Sequence, residues 1–201
     1  MKYRAVLWDW DGTLFDSDKE IWRADNLALS RHGFPTRTYE AFRHREGNGI
    51  VRAVGRPVPE SEVEEVRRTF LEHFDTSQCE LVEGANDVLL HLENLSVPCS
   101  IVSAHAVDEV FARLRRFGIT HHFRHVIGGT REKQTALLSI CKSFGVEPCE
   151  ALFVGDLLSD VKDGNAAGLH TVLYAPPDSP HASHPTYHIT HLREIIPLLE
   201  L

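Results

Sequence analysis

Short apolar runs alternate with helical patterns along most of the chain, and this alternation limits the fold more than any other feature. The runs are rich in Val, Ile and aromatic residues and lack polar alternation, as expected for strands that are covered on both faces. They lie at residues 5–8, 100–102, 125–127, 151–154 and 171–174, with a weaker one at 187–190. Helical repeats between them end at Gly118 and Gly145, since glycine commonly terminates a helix. Strands that alternate with helices require right-handed crossovers, so we expect an α/β fold with a parallel sheet flanked by helices.

Residues 16–81 interrupt this alternation. The stretch contains no convincing strand, whereas Ser17-x-x-Glu20 and Ser61-x-x-Glu64 match the capping box that opens a helix. The interval is far longer than an ordinary crossover between two parallel strands. We therefore expect two domains: a core formed by residues 1–15 and 82–201, and a small all-helical cap, residues 16–81, inserted after the first strand.

The chain is acidic on average. Its 21 Lys and Arg against 29 Asp and Glu give a formal net charge of −8, which argues against a bulk electrostatic nucleic-acid binder. No apolar run approaches the roughly 18 residues of a membrane span, and the N-terminus lacks the apolar stretch of a signal peptide. We therefore expect a cytoplasmic monomer or homodimer without nucleic-acid or membrane partners. The four scattered cysteines are expected to be reduced thiols, because no Cys-x-x-Cys pair indicates a metal or redox site.

Two acidic residues follow the first apolar run. Asp9 and Asp11 are two residues apart, so they point to the same side of an extended chain, and Gly12 permits a sharp turn behind them. At the carboxyl end of a parallel strand they lie where open α/β sheets bind their ligands. Two adjacent carboxylates favour a hard cation such as Mg²⁺. The alternative is a solvated Asp-Gly turn after an edge strand, and this motif alone does not decide between the two.

The fourth apolar run ends in acids as well. Asp156 and Asp160 follow residues 151–154, and Asp160 falls in the first turn of a helix that begins near residue 159. Four carboxylates at two strand ends are costly as a purely structural arrangement, because like charges repel one another. Asp163 is either a further member of the group or an acid on the face of the helix. We therefore expect a metal site formed by four acids: Asp9, Asp11, Asp156 and Asp160.

Two further strand ends carry groups that suit an anion. Ser103 ends the second strand and offers a hydroxyl and backbone N–H groups just before a helix, which is a natural anion site. Lys133, one of only five lysines, stands at the start of a helix, where the helix dipole disfavours a cation. A bound phosphate would explain this lysine. His105 either contacts the substrate or faces the solvent at a helix entry, and it is not assigned to the site.

In this order the motifs resemble those of the haloacid dehalogenase-like (HAD) hydrolase superfamily, over nearly the whole chain. The segments similar to its first, second, third and fourth motifs are Asp9-x-Asp11-Gly12-Thr13, Ser103, Lys133 and Gly155-Asp156-x-x-x-Asp160. The helical stretch after the first strand resembles the cap that many members insert there, and the sequence is most similar to the phosphoglycolate phosphatase-like branch. The resemblance implies a Rossmann-like core with a cap, and a Mg²⁺-dependent phosphatase that acts on a small phosphorylated metabolite.

The resemblance also implies a role for each motif. Asp9 would attack phosphorus and form an aspartyl-phosphate, and Asp11 would protonate the leaving oxygen and then activate water. Because Asp11 is present, phosphate-ester hydrolysis is favoured over carbon–halogen or carbon–phosphorus cleavage. The implied metal ligands are the Asp9 carboxylate, the Asp11 carbonyl and the Asp156 carboxylate. Asp160 completes the metal site by orienting either Lys133 or the waters bound to the metal. The side chains implied to bind the phosphoryl group are Thr13, Ser103 and Lys133.

Positive charge concentrates in the expected cap. Residues 31–56 contain six arginines but only two glutamates. A solvated helical surface explains any one of these arginines. The alternative is that one or two of them grip a second anionic group on the substrate, since a guanidinium binds a carboxylate or a phosphate in bidentate fashion. The arginines favoured for this role are Arg43, Arg45 and Arg52.

Two other functions use the same core residues. A sugar-phosphate mutase would retain the site and exclude water with its cap, whereas a non-catalytic binding protein would retain only the scaffold. The complete set of acids together with Ser103 and Lys133 favours an enzyme. Isomerised sugar phosphate, rather than free phosphate, would identify a mutase. Histidine clusters at 121–125 and 181–191 are interpreted as polar surface in preference to a second metal site.

Overall fold

The computed structural model describes residues 2–43, 45, 58–130, 133–177, 179 and 185–200. The chain divides into two compact units. The first unit, Met1–Phe15 with Leu81–Leu201, contains the sheet, and the second, Asp16–Glu80, is helical. The first unit resumes at Leu81, one residue before the expected start of this part of the core at residue 82. None of the described helices combines the length and the apolar character needed to cross a membrane.

The first unit is built on a parallel sheet that has six strands within the described residues, in the order β3-β2-β1-β4-β5-β6. The strands are β1 Ala5–Trp8, β2 Cys99–Val102, β3 Phe123–Ile127, β4 Ala151–Gly155, β5 His170–Tyr174 and β6 Tyr187–Ile189. Each lies within two residues of its expected bounds, which confirms the α/β assignment. Every residue of β1, β2 and β4 is buried, because helices cover both faces of a parallel sheet.

Strand order brings the predicted acids together. In the sheet β1 lies between β2 and β4, and Trp8 of β1 is opposite Val154 of β4. The carboxyl ends of parallel strands meet at one edge of the sheet. Asp9 and Asp156, which follow β1 and β4, therefore begin at neighbouring positions although almost 150 residues separate them.

Helices flank the strands and form the second unit. Within the described residues there are eight α-helices: α1 Asp18–Arg31, α2 Tyr39–Arg43, α3 Glu60–His73, α4 Ala85–Asn94, α5 Val107–Phe117, α6 Gln134–Phe144, α7 Leu158–Ala166 and α8 Ile195–Leu199. The ends of α5 and α6 directly precede Gly118 and Gly145, as predicted. One face of α6, carrying Leu137 and Ile140, packs against the sheet with Phe153 of β4, so burial of apolar surface fixes the helix on the strand that precedes the fourth motif.

The second unit has a small apolar centre of its own. Ala28 and Leu29 of α1 pack against Val66 of α3, together with Phe34 and Val58. Asp25, which precedes Ala28 on α1, forms an ion pair with Arg37, and their side chains are 3% and 7% exposed. Removing one partner of such a buried pair leaves the other charge uncompensated and destabilises the fold. The two residues therefore act as one structural element.

Both capping boxes expected in this unit are wrong, although helices are present. α1 begins directly after Ser17, but this residue already has nearly helical angles (φ −100, ψ −6) and makes no side-chain capping hydrogen bond to the described backbone. An N-cap residue needs an extended backbone for its hydroxyl to reach the free N–H groups. Helix α3 begins at Glu60 after Pro59, so Ser61 lies inside its first turn. Proline before the helix, with its fixed φ, supplies the start instead.

Candidate active site

Asp9 and Asp11 lie at the carboxyl end of β1. The backbone N–H of Asp9 donates to the carbonyl of Val154 at 2.8 Å, so β1 and β4 stay paired up to the first acid. Asp9 is 2% exposed and Asp11 is 6% exposed. Buried carboxylates require compensating partners, and the turn is therefore not a solvated Asp-Gly turn.

Gly12 allows the acid after β4 to approach this turn. Its φ is +74°, and a Cβ at this position would lie 2.6 Å from Oδ2 of Asp156. Any side chain here would both strain the backbone and displace that carboxylate. Thr13, fully buried, donates through Oγ1 to Oδ1 of Asp156 at 3.4 Å. The turn after β1 thus packs directly on Asp156.

Lys133 contacts one acid from each of the first and fourth motifs. It precedes α6, and its Nζ lies 2.5 Å from Oδ1 of Asp9 and 2.7 Å from Oδ1 of Asp160. All three residues are at most 3% exposed. Burial lowers the pKa of Lys133, but the charges of Asp160 and Asp9 outweigh burial and hold the pKa above its ordinary value. The lysine is therefore a cation held between two acids.

Asp160 has both carboxylate oxygens in hydrogen bonds. Oδ1 accepts from Lys133, and Oδ2 accepts from the backbone N–H of Leu157 at 3.1 Å, at the start of α7. An acid in the first turn of a helix is also favoured by the helix dipole. Of the two functions expected for Asp160, orientation of Lys133 is the one that these contacts support.

The donor set fits a divalent metal ion. Oxygen atoms of Asp9, Asp156 and Asp160 lie within 4.8 Å of one another. Oδ2 of Asp9 is buried and has no hydrogen-bond partner among the described residues. Burial raises the pKa of Asp9 to about 7, although the charge of Lys133 acts in the opposite direction. A hard cation beside this oxygen would complete its coordination and favour the ionised form.

Ser103 lies at the carboxyl end of β2 and is fully buried. Its backbone N–H donates to the carbonyl of Ile127 at 2.9 Å, and its Oγ accepts from the N–H of His105 at 3.1 Å. The hydroxyl hydrogen of a serine that accepts in this way remains available to donate. This strand end can therefore offer one donor to an anion.

Asp163 lies on a face of α7, is partly exposed, and is not part of the acidic group formed by Asp9, Asp156 and Asp160. Its Oδ2 accepts from the backbone N–H of Lys133 at 3.0 Å. A carboxylate of α7 thereby satisfies an N–H group at the start of α6, as an N-cap side chain would. This contact could not be predicted from the sequence, because it depends on how α6 and α7 pack.

His105 lies beside the second acid. Its Nε2 is 3.1 Å from Oδ2 of Asp11, and its Nδ1 is 2.8 Å from Oε2 of Glu109. Sequence reasoning left this residue outside the site. A signal was present: His105 follows Ser103 by two residues, and Glu109 follows His105 by four, so the histidine lies between a motif residue and an acid.

The cap arginines have different surroundings within their own unit. Arg45 is buried, with Nη2 2.9 Å from Oδ1 of Asp18 and its guanidinium 3.9 Å from the centre of the Phe42 ring. Arg43 is exposed and lies 6.0 Å from the Tyr39 ring. Arg45 therefore has a structural role in this unit, and substrate binding by Arg43 or Arg45 stays a prediction. Arg52 lies outside the described residues.

The described histidines of the two clusters have partners other than the motif residues. His122 Nδ1 lies 3.1 Å from Oε2 of Glu93, and with His121 these residues form a group whose ligand atoms are within 4.8 Å. Glu93 and His121 are exposed. In the second cluster His188 Nε2 contacts the carbonyl of Ala175 at 2.9 Å, while residues 181 and 184 lie outside the described residues.

Residues 6–174 match the haloacid dehalogenase-like hydrolase family. Because this match spans most of the chain and includes all four motif segments, the chain belongs to that family. It is a hydrolase of the phosphoglycolate phosphatase-like branch, and its homologues support a phosphoric monoester hydrolase.

Individual relatives agree with this assignment. The chain is 31% identical over 216 residues to phosphoglycolate phosphatase 1 of Pseudomonas aeruginosa, covering 96% of this chain and 79% of the relative. It is 27% identical over 219 residues to the N-acetylmuramic acid 6-phosphate phosphatase of the same organism, covering 100% and 96%. The crystal structure of a predicted phosphoglycolate phosphatase from Haemophilus somnus superimposes with a TM-score of 0.81 at 22% identity, covering 99% of both chains, which supports the fold.

Proposed function

We propose that this phosphatase requires Mg²⁺ and hydrolyses a small phosphorylated metabolite through an aspartyl-phosphate formed on Asp9. One observation carries the proposal: the Asp9 carboxylate is buried with Oδ1 on Lys133 and with Oδ2 lacking a hydrogen-bond partner among the described residues. A structural carboxylate would have both oxygens satisfied. An unsatisfied buried oxygen beside a lysine suits a nucleophile that awaits a metal ion and phosphorus.

The proposed reaction has two steps. In the first, an Asp9 oxygen bonds to phosphorus while the bond from phosphorus to the leaving oxygen breaks, and Asp11 gives its proton to that oxygen. In the second, Asp11 takes a proton from water as the water oxygen attacks phosphorus, which releases inorganic phosphate and regenerates the Asp9 carboxylate. Each step thus restores the protonation state that the other one uses.

The remaining residues stabilise charge on the phosphoryl group. Lys133 neutralises it, Ser103 donates a hydrogen bond to it, and Thr13 donates one when its hydroxyl turns from Asp156 to the phosphoryl group. Stabilisation of this charge is where most of the rate enhancement of phosphoryl transfer arises. The Asp9 and Asp156 carboxylates and the Asp11 carbonyl are the proposed Mg²⁺ ligands. Bound Mg²⁺ supplies positive charge against the phosphoryl oxygens. Asp160 holds Lys133 in place.

For the substrate we propose a phosphate ester that also carries a carboxylate. Both relatives described above are named for phosphorylated carboxylic acids, phosphoglycolate and N-acetylmuramic acid 6-phosphate. A guanidinium is the side chain best suited to bind a second carboxylate. Arg43 and Arg45 are the proposed candidates in the cap, and Arg43, being exposed, is the better one. We also propose a cytoplasmic location, which four free cysteines support.

A screen of phosphorylated metabolites with and without Mg²⁺, reading inorganic phosphate, tests the proposal. We expect release that a chelator stops and that Asp9→Asn abolishes. The matched control is Asp108→Asn, which removes an exposed carboxylate from the first turn of α5. Turnover that survives Asp9→Asn would refute the nucleophile, and an isomerised sugar phosphate in place of free phosphate would identify a mutase.

A further inference from the structure

His105 is held in a single position by the loop between β2 and α5. Its backbone N–H donates to Ser103 Oγ at 3.1 Å, and its carbonyl accepts from the N–H of Gly129 at 2.6 Å. A Cβ at Gly128 would lie 2.5 Å from the same carbonyl, so the two loops pack backbone to backbone. The imidazole is 18% exposed. A ring anchored in this way does not need to be ordered when substrate binds.

Both ring nitrogens of His105 face carboxylate oxygens. Nε2 lies 3.1 Å from Oδ2 of Asp11, and Nδ1 lies 2.8 Å from Oε2 of Glu109. Contacts at both nitrogens fix the plane and the orientation of the ring, in the way that a second partner orients a histidine bound to a metal or a nucleophile. One carboxylate oxygen of Asp11 thus faces a ring of fixed orientation.

Helix α5 extends the array away from the site. Arg113 Nη1 lies 3.9 Å from Oε2 of Glu109, and its guanidinium lies 5.4 Å from the ring centre of Phe15. Glu109 and Arg113 are spaced by four residues and lie along one face of α5, whereas His105 lies in the loop before this helix. An acid, an imidazole, an acid and a guanidinium therefore follow one another from Asp11 outward.

We propose that His105, oriented by Glu109, is a positioning residue for Asp11 in the transfer of a proton to the leaving oxygen. The inference rests on the acid–base role proposed for Asp11. A carboxyl group that rotates freely presents its proton in many directions, whereas one turned by His105 presents the same oxygen to every substrate. Orientation of this kind lowers the barrier of the step in which the proton moves and leaves substrate binding unchanged.

Dependence on the leaving group distinguishes this role from a structural one. An alkyl phosphate must receive a proton as its oxygen departs, but p-nitrophenyl phosphate releases a stabilised anion and needs little help. The value of kcat/KM reports the steps up to departure of that oxygen. For His105→Phe, which keeps an aromatic ring without nitrogen, we expect kcat/KM on an alkyl phosphate to fall about tenfold, the worth of one hydrogen bond. On p-nitrophenyl phosphate it should fall less than about twofold.

Four further variants complete the test. Asp11→Asn is the reference and should show the same preference for p-nitrophenyl phosphate more strongly. Glu109→Gln should show it more weakly and should fold normally, because the Glu109 side chain is 50% exposed. Its matched control is Asp108→Asn, which also removes one acid from the first turn of α5. His105→Gln, which retains an N–H group, should recover part of the loss on the alkyl phosphate.

The outcomes separate the inference from the function on which it rests. If Asp11→Asn is selective for the leaving group but His105→Phe and Glu109→Gln reduce kcat/KM equally on both substrates, the positioning role is wrong and the proposed function stands. If the wild-type protein releases no phosphate, or Asp11→Asn is not selective, the acid–base role fails and the inference fails with it. An altered KM with unchanged kcat in His105→Phe would assign His105 to substrate binding instead.

Discussion

Lys133 donates a hydrogen bond through Nζ to Oδ1 of Asp9 at 2.5 Å, with both side chains at most 4% exposed. The two residues lie 124 positions apart in the sequence and meet because each follows a strand of the same parallel sheet, Asp9 after β1 and Lys133 after β3. Water is excluded from the pair, so the attraction between the charges is far stronger than at the surface. The proposed nucleophile is therefore oriented by its own counterion before any substrate arrives.

Removing this counterion should reduce catalysis strongly. For Lys133→Met we expect kcat/KM to fall about 10²–10³-fold, as when one preorganised charge-stabilising group is lost. Two acids are then buried without their cation, which costs about 3–5 kcal/mol of unfolding free energy. Phosphate release and chemical denaturation measure the two effects. Lys142→Met, at an exposed position in the last turn of α6, is the control and should change neither.

A lysine whose removal lowered stability but left kcat/KM unchanged would be a structural residue only. In that case the charge on the phosphoryl group would have to be neutralised elsewhere. Because loss of Lys133 also destabilises the fold, Lys133→Arg provides a second measurement: it keeps the charge but not the compact ammonium that fits between Asp9 and Asp160. We expect Lys133→Arg to fold and to remain at least about tenfold less active.

Gly12 should matter more for metal binding than for folding. Gly12→Ala places a methyl group 2.6 Å from Oδ2 of Asp156 at a φ of +74°, so the carboxylate must move. Gly145→Ala shares the positive φ (+66°) but has no atom within 4 Å. Both variants should lose about 1–2 kcal/mol of unfolding free energy from backbone strain. Only Gly12→Ala should also raise the Mg²⁺ concentration needed for half-maximal activity, by about 10–100-fold.

Equal Mg²⁺ requirements in the two glycine variants would contradict the assignment of Asp156 as a metal ligand. The comparison isolates that ligand because the strain is common to both chains. Titration of Mg²⁺ at saturating substrate, together with thermal unfolding of each variant, gives the two quantities in the same preparation.

Thiol reactivity should distinguish the four cysteines. Burial raises the pKa of Cys99 to about 12 and that of Cys141 to about 11, so neither is a thiolate at pH 8. Cys79 is also buried, whereas Cys149 is exposed. Brief alkylation of the native protein at pH 8, read by mass spectrometry, should modify Cys149 alone, and unfolding in denaturant should expose all four. Alkylation of Cys99 before Cys149 would show that β2 opens readily.

The sequence predicted the core of this protein better than its helix ends. Buried strands of a parallel sheet are continuous apolar runs, so each strand was recognisable locally, and the acids after β1 and β4 identified the edge that holds the site. Capping was misassigned because Ser17 and Ser61 fit the pattern in sequence, whereas capping depends on backbone angles at one residue. The local pattern does not contain those angles.

Contacts made by side chains across the sheet edge were the least predictable. His105 and Asp163 each contact a motif residue, Asp11 and Lys133, yet neither contact follows from spacing along the chain. Each requires the packing of a loop or helix from another crossover. The sequence shows Glu109 four residues after His105. Its role as a partner of the imidazole became clear only because the structure places Asp11 at the other nitrogen of the ring.

Asp163 connects helix capping to the position of Lys133. Its Oδ2 accepts from the backbone N–H of Lys133 at 3.0 Å, so Asp163→Ala should cost about 1 kcal/mol of unfolding free energy, as the loss of an N-cap does. It should also lower kcat/KM about three- to tenfold because the lysine loses an anchor. Asp163→Asn keeps an acceptor oxygen and should restore most of both losses, while Lys162→Ala, at the exposed neighbouring position, should change neither. Denaturation curves and phosphate release measure these effects, and a loss of stability in Asp163→Ala with unaltered kcat/KM would limit Asp163 to holding α6 on α7.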